Sequence, residues 1–119
     1  MKSTYSWDYN KKILTVYSCT GVHDFLREHL ISSIDFNYPV VITDSVICCD
    51  EMFSGCESYN QPTVIPSSAV DCTCMFWDCE ALDQTIIVPD SVVAHRDMFK
   101  NCKKMQHHLA EGKTTNFFN

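Results

Sequence analysis

Apolar residues recur every 23 residues through the middle of the chain. The three segments 41–59, 64–82 and 87–105 align without a gap. The matching positions are Ile42, Ile65 and Val88; Ser45, Ser68 and Ser91; Met52, Met75 and Met98; Phe53, Phe76 and Phe99; and Cys56, Cys79 and Cys102. A unit of this length cannot bury an apolar face alone, so neighbouring units should stack around a shared core.

Each segment predicts a short strand that ends in a turn. The apolar runs 40–42, 63–65 and 86–88 are followed by Thr or Pro and then by Asp or Ser, which favour turns. Stacked strands would pair in parallel, and the repeated phenylalanines should stack as an aromatic spine on the opposite wall. The pattern therefore predicts a solenoid.

The N-terminal residues carry two other patterns. The β-rich runs 5–9 and 13–17 surround Asn10-Lys11-Lys12 and predict a hairpin. Residues 22–34 have apolar side chains at the spacing of an amphipathic helix. We expect one domain over residues 1–119, with a hairpin-and-helix cap at 1–38, three repeats at 39–105 and a C-terminal helix and tail at 106–119.

The repeated positions resemble a known family. The pattern of these positions is Ile-Pro-x-Ser, then Val, then an aromatic residue followed by x-x-Cys-x-x-Leu. This pattern is similar to the BspA-like leucine-rich repeat, here in a Met-Phe-x-x-Cys form seen in Firmicutes and their phages. Trp7, Gly21 and Asp24-Phe25 resemble the cap that precedes such repeats. The expected fold class is therefore α+β and β-rich: a short leucine-rich-repeat solenoid of three 23-residue repeats behind an N-terminal hairpin and helix.

Charge is divided unevenly along the chain. Residues 28–95, which we call the acidic body, contain 11 carboxylates and no Lys or Arg, within a chain of net charge −6. Such a field repels phosphate backbones and attracts basic surfaces. We expect a protein partner with a basic surface and no direct binding of nucleic acid; a purely solubilising surface is the alternative.

Composition narrows the class of protein. With 45% apolar and 20% charged residues, the chain is typical of a globular domain. It has no apolar stretch of membrane-spanning length, and its polar start lacks the apolar core of a signal peptide. We expect no membrane association, a cytoplasmic location in a bacterial host, and eight free thiols.

The cysteines raise the question of a metal. Cys48-Cys49 and Cys72-x-Cys74 would offer four thiolates, and His95 occupies the repeat position of Cys72. These spacings lack the paired CxxC form of zinc sites, and the periodic cysteines fit buried apolar positions. We predict no metal and no cofactor, although the spacing leaves metal binding by these four cysteines undecided.

Sequence motifs for catalysis are missing. The three glycines provide no phosphate-binding loop, and no cysteine stands in a nucleophile signature. We therefore predict that the chain is not an enzyme but a protein–protein interaction module.

Strand alternation predicts the binding residues. If Ile42 and its equivalents face the core, their neighbours face outward. The expected contact residues are Val41, Val64 and Ile87, which we call the apolar ladder, and Asp44, Asp71, Asp83 and Asp90 in the acidic body. The partner would bind to this sheet face and the acidic body. Two alternatives stay open: a homodimer through the ladder, and a phage or mobile-element inhibitor, anti-CRISPR-like, that blocks the basic nucleic-acid groove of a host defence nuclease.

Overall fold

A computed structural model of the chain describes residues 3–105 and residue 108. Its regular elements are strand β1 (Tyr5–Asp8), strand β2 (Ile13–Val16), helix α1 (Gly21–Glu28), a 3-10 helix (Ser33–Asp35) and strand β3 (Val40–Ile42). Strand β1 pairs antiparallel with β2, and β2 pairs parallel with β3. The fold is thus α+β, with one three-stranded mixed sheet and one α-helix.

The N-terminal hairpin forms as the sequence predicts. The Asp8 carboxylate accepts hydrogen bonds from the backbone N–H groups of Asn10 and Lys11, each at 2.9 Å. Lys12 then adopts a left-handed conformation with φ 57° and donates its N–H to the Asp8 carbonyl at 2.8 Å. The aspartate therefore organises the turn that joins β1 to β2.

Helix α1 is shorter than the predicted 22–34. Its apolar face buries Val22, Phe25 and Leu26. Leu30 has φ 55°, and the next residue, Ile31, donates its N–H to the Leu26 carbonyl at 2.9 Å. This is the hydrogen bond of a Schellman motif, which closes the helix before the apolar pattern ends.

The predicted leucine-rich-repeat solenoid is wrong. Of the three predicted repeat strands, only β3 forms among the described residues. The Thr43 N–H donates to the Val16 carbonyl at 3.2 Å and extends the pairing of β3 with β2. The equivalent residues in the next two segments are Pro66 and Pro89, which have no N–H. The parallel pairing therefore stops at β3, the last strand of the mixed sheet, and the predicted three-repeat wall behind a cap does not form.

Turns occupy most of the described chain after β3. Two single parallel bridges join Cys48 to Asp71 and Asp71 to Ala94. Backbone bonds connect the same turns further along: the Phe53 N–H donates to the Met75 carbonyl at 2.8 Å. The predicted C-terminal helix and tail at 106–119 lie outside the described residues, apart from His108.

Stacked aromatic rings form the core of this turn region. Phe53 and Phe76 stack with centroids 5.3 Å apart, and Phe76 and Phe99 stack at 5.4 Å. The predicted stacking of the three phenylalanines is therefore confirmed. Tyr59 stacks on Phe53 at 4.4 Å and continues the rings toward Phe36 near the N-terminal sheet.

The periodic cysteines Cys56, Cys79 and Cys102 are buried beside these rings, as the sequence predicts. The Cys79 thiol donates to the Phe53 carbonyl at 3.1 Å, and the Cys102 thiol donates to the Phe76 carbonyl at 3.0 Å. Burial raises the pKa of Cys56 and of Cys102 to about 12. These thiols therefore stay protonated and act as packing groups that also satisfy backbone carbonyls.

Within residues 3–105, no helix is both long enough and apolar enough to cross a bilayer.

Candidate functional site

The apolar ladder lies on the surface. Val41, Val64 and Ile87 are 51%, 79% and 64% exposed, whereas Ile42 and Ile65 are buried. The inward and outward assignment predicted from alternation is correct at these positions. Only Val41 belongs to a strand, however, so the ladder is not one face of a continuous sheet.

A second set of exposed apolar residues was missed by the sequence analysis. Ile47, Val70 and Val93, which we call the second apolar row, are 62%, 40% and 75% exposed. The Val70 N–H donates to the Ile47 carbonyl at 2.8 Å, and the Val93 N–H donates to the Val70 carbonyl at 2.9 Å. These bonds hold the three residues on adjacent segments. The signal was available, because the three residues are spaced 23 apart.

The four predicted acidic contact residues have different surroundings. Asp44 and Asp90 are exposed in turns, and Asp83 is exposed beside His108, with Oδ1 3.0 Å from Nε2. Asp71 is half-buried and accepts the Thr73 N–H at 2.8 Å. The freely accessible members of the set are therefore Asp44 and Asp90.

Asp71 belongs to a compact group of metal-ligating side chains. The Cys48 sulfur and carboxylate oxygens of Asp50 and Asp71 all lie within 4.8 Å of one another. The Asp50 N–H donates to the Cys48 sulfur at 3.4 Å, and Cys19 lies beside this group, where it lines one surface cavity with Asp50 and another with Cys48. We call these four residues the thiol–carboxylate cluster. Cys19 comes from the loop between β2 and α1, and the other three come from the turn region.

The electrostatics of this cluster are unfavourable to negative charge. Burial, followed by repulsion from Asp71 and Glu51, raises the pKa of Asp50. Burial and the neighbouring Cys48 raise the pKa of Cys19. Among the described residues, no Lys, Arg or His forms an ion pair with Asp50 or Asp71. The cluster therefore concentrates negative charge without a counterion from the described chain.

A surface cavity of about 400 Å³ adjoins the cluster. It is lined by Cys19, Thr20, His23, Asp50, Glu51 and Ser54. His23 is held at its edge, with Nε2 3.1 Å from the Glu51 carbonyl. Solvent and small ions can thus approach Cys19 and Asp50 from one side.

The four cysteines considered from sequence for a metal separate into two kinds. Cys49 and Cys72 are buried, whereas Cys48 and Cys74 are half-buried. Within the described residues they do not form a four-thiolate group; Cys48 instead joins two carboxylates. All eight cysteines lie in the described part of the chain, and none forms a disulfide.

Comparison with protein-family models, curated proteins and solved structures found no significant match. The resemblance to BspA-like leucine-rich repeats therefore stays a prediction from the repeated residues.

Proposed function

We propose that this chain is a non-enzymatic protein–protein interaction module. The observation that carries the proposal is the set of exposed β-branched residues in the apolar ladder and the second apolar row. Each of the six side chains is between 40% and 79% exposed. The backbone hydrogen bonds hold Ile47, Val70 and Val93 on adjacent segments, and exposed apolar residues that are grouped rather than scattered are typical of protein-binding sites.

The side chains suit binding for a second reason. Val and Ile have few rotamers, so little conformational entropy is lost when a partner orders them. The backbone bonds from Ile47 to Val70 and from Val70 to Val93 restrict the second apolar row further. A partner would therefore meet a preorganised apolar strip.

The charges nearby indicate the chemistry of the partner. Asp44 lies three residues before Ile47, and Asp90 lies three residues before Val93; both carboxylates are exposed. Apolar centres with charged rims are the usual composition of transient interfaces. We infer a partner with an apolar centre and basic residues around it, which the acidic body would attract over a distance.

The thiols support a role other than nucleophilic catalysis. Burial raises the pKa of Cys56 and of Cys102 to about 12, and only a thiolate is a competent nucleophile. These two cysteines therefore do not supply a nucleophile, and we retain the proposal that the chain is not an enzyme.

The inhibitor alternative also has a specific observation behind it. Asp44 and Asp90 are exposed, and no ion pair involves either among the described residues. A surface of unneutralised carboxylates could compete with nucleic acid for a basic groove. Under this alternative, the partner would be a nucleic-acid-binding enzyme, and added nucleic acid would displace the chain.

A comparison of matched variants tests the proposal. Wild-type chain, the variants Val64→Asp and Val93→Asp, and the control Ser58→Asp would each be immobilised and exposed to bacterial lysate, and the captured proteins identified by mass spectrometry. Ser58 is an exposed turn residue that belongs neither to the two apolar sets nor to the acidic contact residues, so its variant adds the same charge away from the proposed contacts. We expect one partner to bind wild type and Ser58→Asp, with affinity reduced roughly tenfold or more by Val64→Asp or Val93→Asp. Equal binding by all four proteins would contradict the proposal.

The acidic contribution is tested with the purified partner. The double variant Asp44→Asn, Asp90→Asn should associate more slowly and with less salt dependence, because exposed charges act over about 8 Å at physiological ionic strength.

Sedimentation of the chain alone tests the homodimer alternative. A dimer that Val64→Asp dissociates would identify the partner as a second copy of the chain.

A further inference from the structure

We infer that the thiol–carboxylate cluster is a zinc-binding site. Its donors are the sulfur atoms of Cys19 and Cys48 and the carboxylate oxygens of Asp50 and Asp71. This inference is independent of the proposed protein-binding function, and it uses a different ligand set from the four cysteines considered in the sequence.

The candidate ligands converge from distant parts of the chain. Asp50 and Asp71 are 21 positions apart in the sequence, yet their carboxylate oxygens and the Cys48 sulfur lie within 4.8 Å of one another. The parallel bridge between Cys48 and Asp71 fixes two of the donors on neighbouring segments. Cys19 comes from a third part of the chain and lines one cavity with Asp50 and another with Cys48, so a movement of its side chain would complete the ligand set.

The sulfur and oxygen donors of the cluster suit zinc. Zinc is borderline soft and binds thiolate, imidazole and carboxylate in tetrahedral sites of four ligands. Mg²⁺ and Ca²⁺ prefer oxygen donors in larger numbers, and the two sulfur atoms of this cluster do not suit them. Four protein ligands leave no open position, so the site would be structural.

The negative charge of the cluster also favours a bound cation. Two carboxylates and two potential thiolates lie together, and none has an ion-pair partner among residues 3–105. A divalent cation would neutralise half of the four negative charges. The adjoining cavity, lined by Cys19 and Asp50, provides an entry path for the ion.

Binding is a proton-for-metal exchange. Two Zn–S bonds form while the thiol protons of Cys19 and Cys48 pass to the buffer, and two Zn–O bonds form with carboxylates that are already ionised. No electron is transferred. The ion would join the loop between β2 and α1 to the turn region and stabilise the contact between them.

The test titrates Zn²⁺ into reduced, chelator-treated protein by calorimetry. We expect one zinc per chain, and about two protons released when the titration is repeated in buffers of different ionisation enthalpy. Cys19→Ser, Cys48→Ser and Asp71→Asn should each weaken binding at least about 100-fold, since even outer-shell changes at zinc sites cost 10 to 100-fold. Cys74→Ser is the matched control, because Cys74 is also half-buried but lies outside the cluster.

A second measurement separates ligation from folding. Co²⁺ added in place of zinc should give thiolate charge-transfer absorption in wild type and in Cys74→Ser. Asp71→Asn should give the same absorption, but only at a higher metal concentration. The absorption should be reduced in Cys19→Ser and Cys48→Ser, while circular dichroism shows each variant folded. Absence of zinc binding by wild type, or equal binding by all folded variants, would overturn the inference. Loss of binding in Cys74→Ser alone would overturn the assigned ligands.

Discussion

The described chain divides after Ile42 into two regions that are stabilised differently. Before that point, β1, β2 and α1 satisfy their backbone groups within regular elements. After it, backbone N–H groups in turns reach carbonyls 22 positions later, as in the bond from Glu51 to Thr73 at 3.0 Å. The first region can gain order from local hydrogen bonds, whereas the second gains it only when distant turns are already aligned.

The two regions also differ in their cores. The N-terminal core packs Phe25 against Trp7 and Tyr5 in tilted or edge contacts. The turn region instead stacks Phe53 and Phe76 almost parallel, with an interplanar angle of 3°. Because turns supply little cooperative structure of their own, we expect this ring stack to carry much of the stability of the second region.

The largest expected effect is therefore on the turn region. Phe76→Ala removes the middle ring, which is fully buried, and should lower the free energy of unfolding by about 3 to 5 kcal/mol. Urea denaturation followed by circular dichroism would measure the loss. Phe76→Leu is the control and should lose less. A Phe76→Ala protein as stable as wild type would show that the ring stack is not what holds the turns.

The next effect is on the N-terminal region. A Cβ atom at Gly21 would lie 2.5 Å from the Thr4 carbonyl oxygen and 2.8 Å from the Val16 Cβ. Gly21→Ala should therefore destabilise the chain by about 1 to 3 kcal/mol, even though alanine is the better helix former. Thermal unfolding would detect the change. An increase in melting temperature would mean that α1 and β2 separate more easily than the contact implies.

A smaller effect distinguishes Asp24 in the first region from Asp50 in the second: their contributions to stability change with pH in opposite directions. A hydrogen bond from Thr4, together with Thr20 and Arg27, holds the pKa of Asp24 below its usual value of 3.8. Its stabilising contribution is thus present above that pH and is lost as pH falls through the lower folded-state pKa. Asp24→Asn should lower stability at neutral pH by about 1 kcal/mol. Its difference from wild type should shrink in acid, as unfolding measured over a pH series would show.

Asp50 should behave in the opposite way. Its pKa is raised by burial and by Asp71, so its favourable contribution exists at low pH and is lost as pH rises through the raised pKa. In chelator-treated protein, Asp50→Asn should therefore raise the melting temperature slightly at neutral pH and have less effect in acid. A lower melting temperature at neutral pH would indicate that the carboxylate makes a stabilising contact.

Features whose determinants lie close together in the sequence could be predicted from it, whereas features that depend on distant or conformational determinants could not. The hairpin was predictable because alternation and Asn10-Lys11-Lys12 lie within a few residues. The phenylalanine stacking followed from equal spacing. The end of α1 was not predictable from apolar periodicity, because Leu30 ends the helix by its left-handed conformation. The predicted strands failed because the missing N–H of Pro66 and Pro89 outweighs the apolar runs before them.

The candidate sites show the same contrast. Outward positions of the apolar ladder followed from the alternation around Ile42. The second apolar row shares the 23-residue spacing, but it follows turns, where alternation does not indicate which side chains face solvent. The association of Cys19 with Cys48 depends on where the loop before α1 meets the turn region, and no spacing in the sequence contains that information.

Pro66 and Pro89 also bear on how the molecule avoids aggregation. Strand β3 lies at one edge of the sheet, and such an edge offers backbone groups to which another chain can add a strand. Pro66 and Pro89 have no backbone N–H, so their segments lack the hydrogen-bond donor that would extend the pairing beyond β3. The same segments carry the exposed residues Val64 and Ile87. Their apolar side chains are therefore exposed on a backbone that is poorly suited to pairing with strands of other chains. A partner would then be recognised through side chains rather than through strand addition.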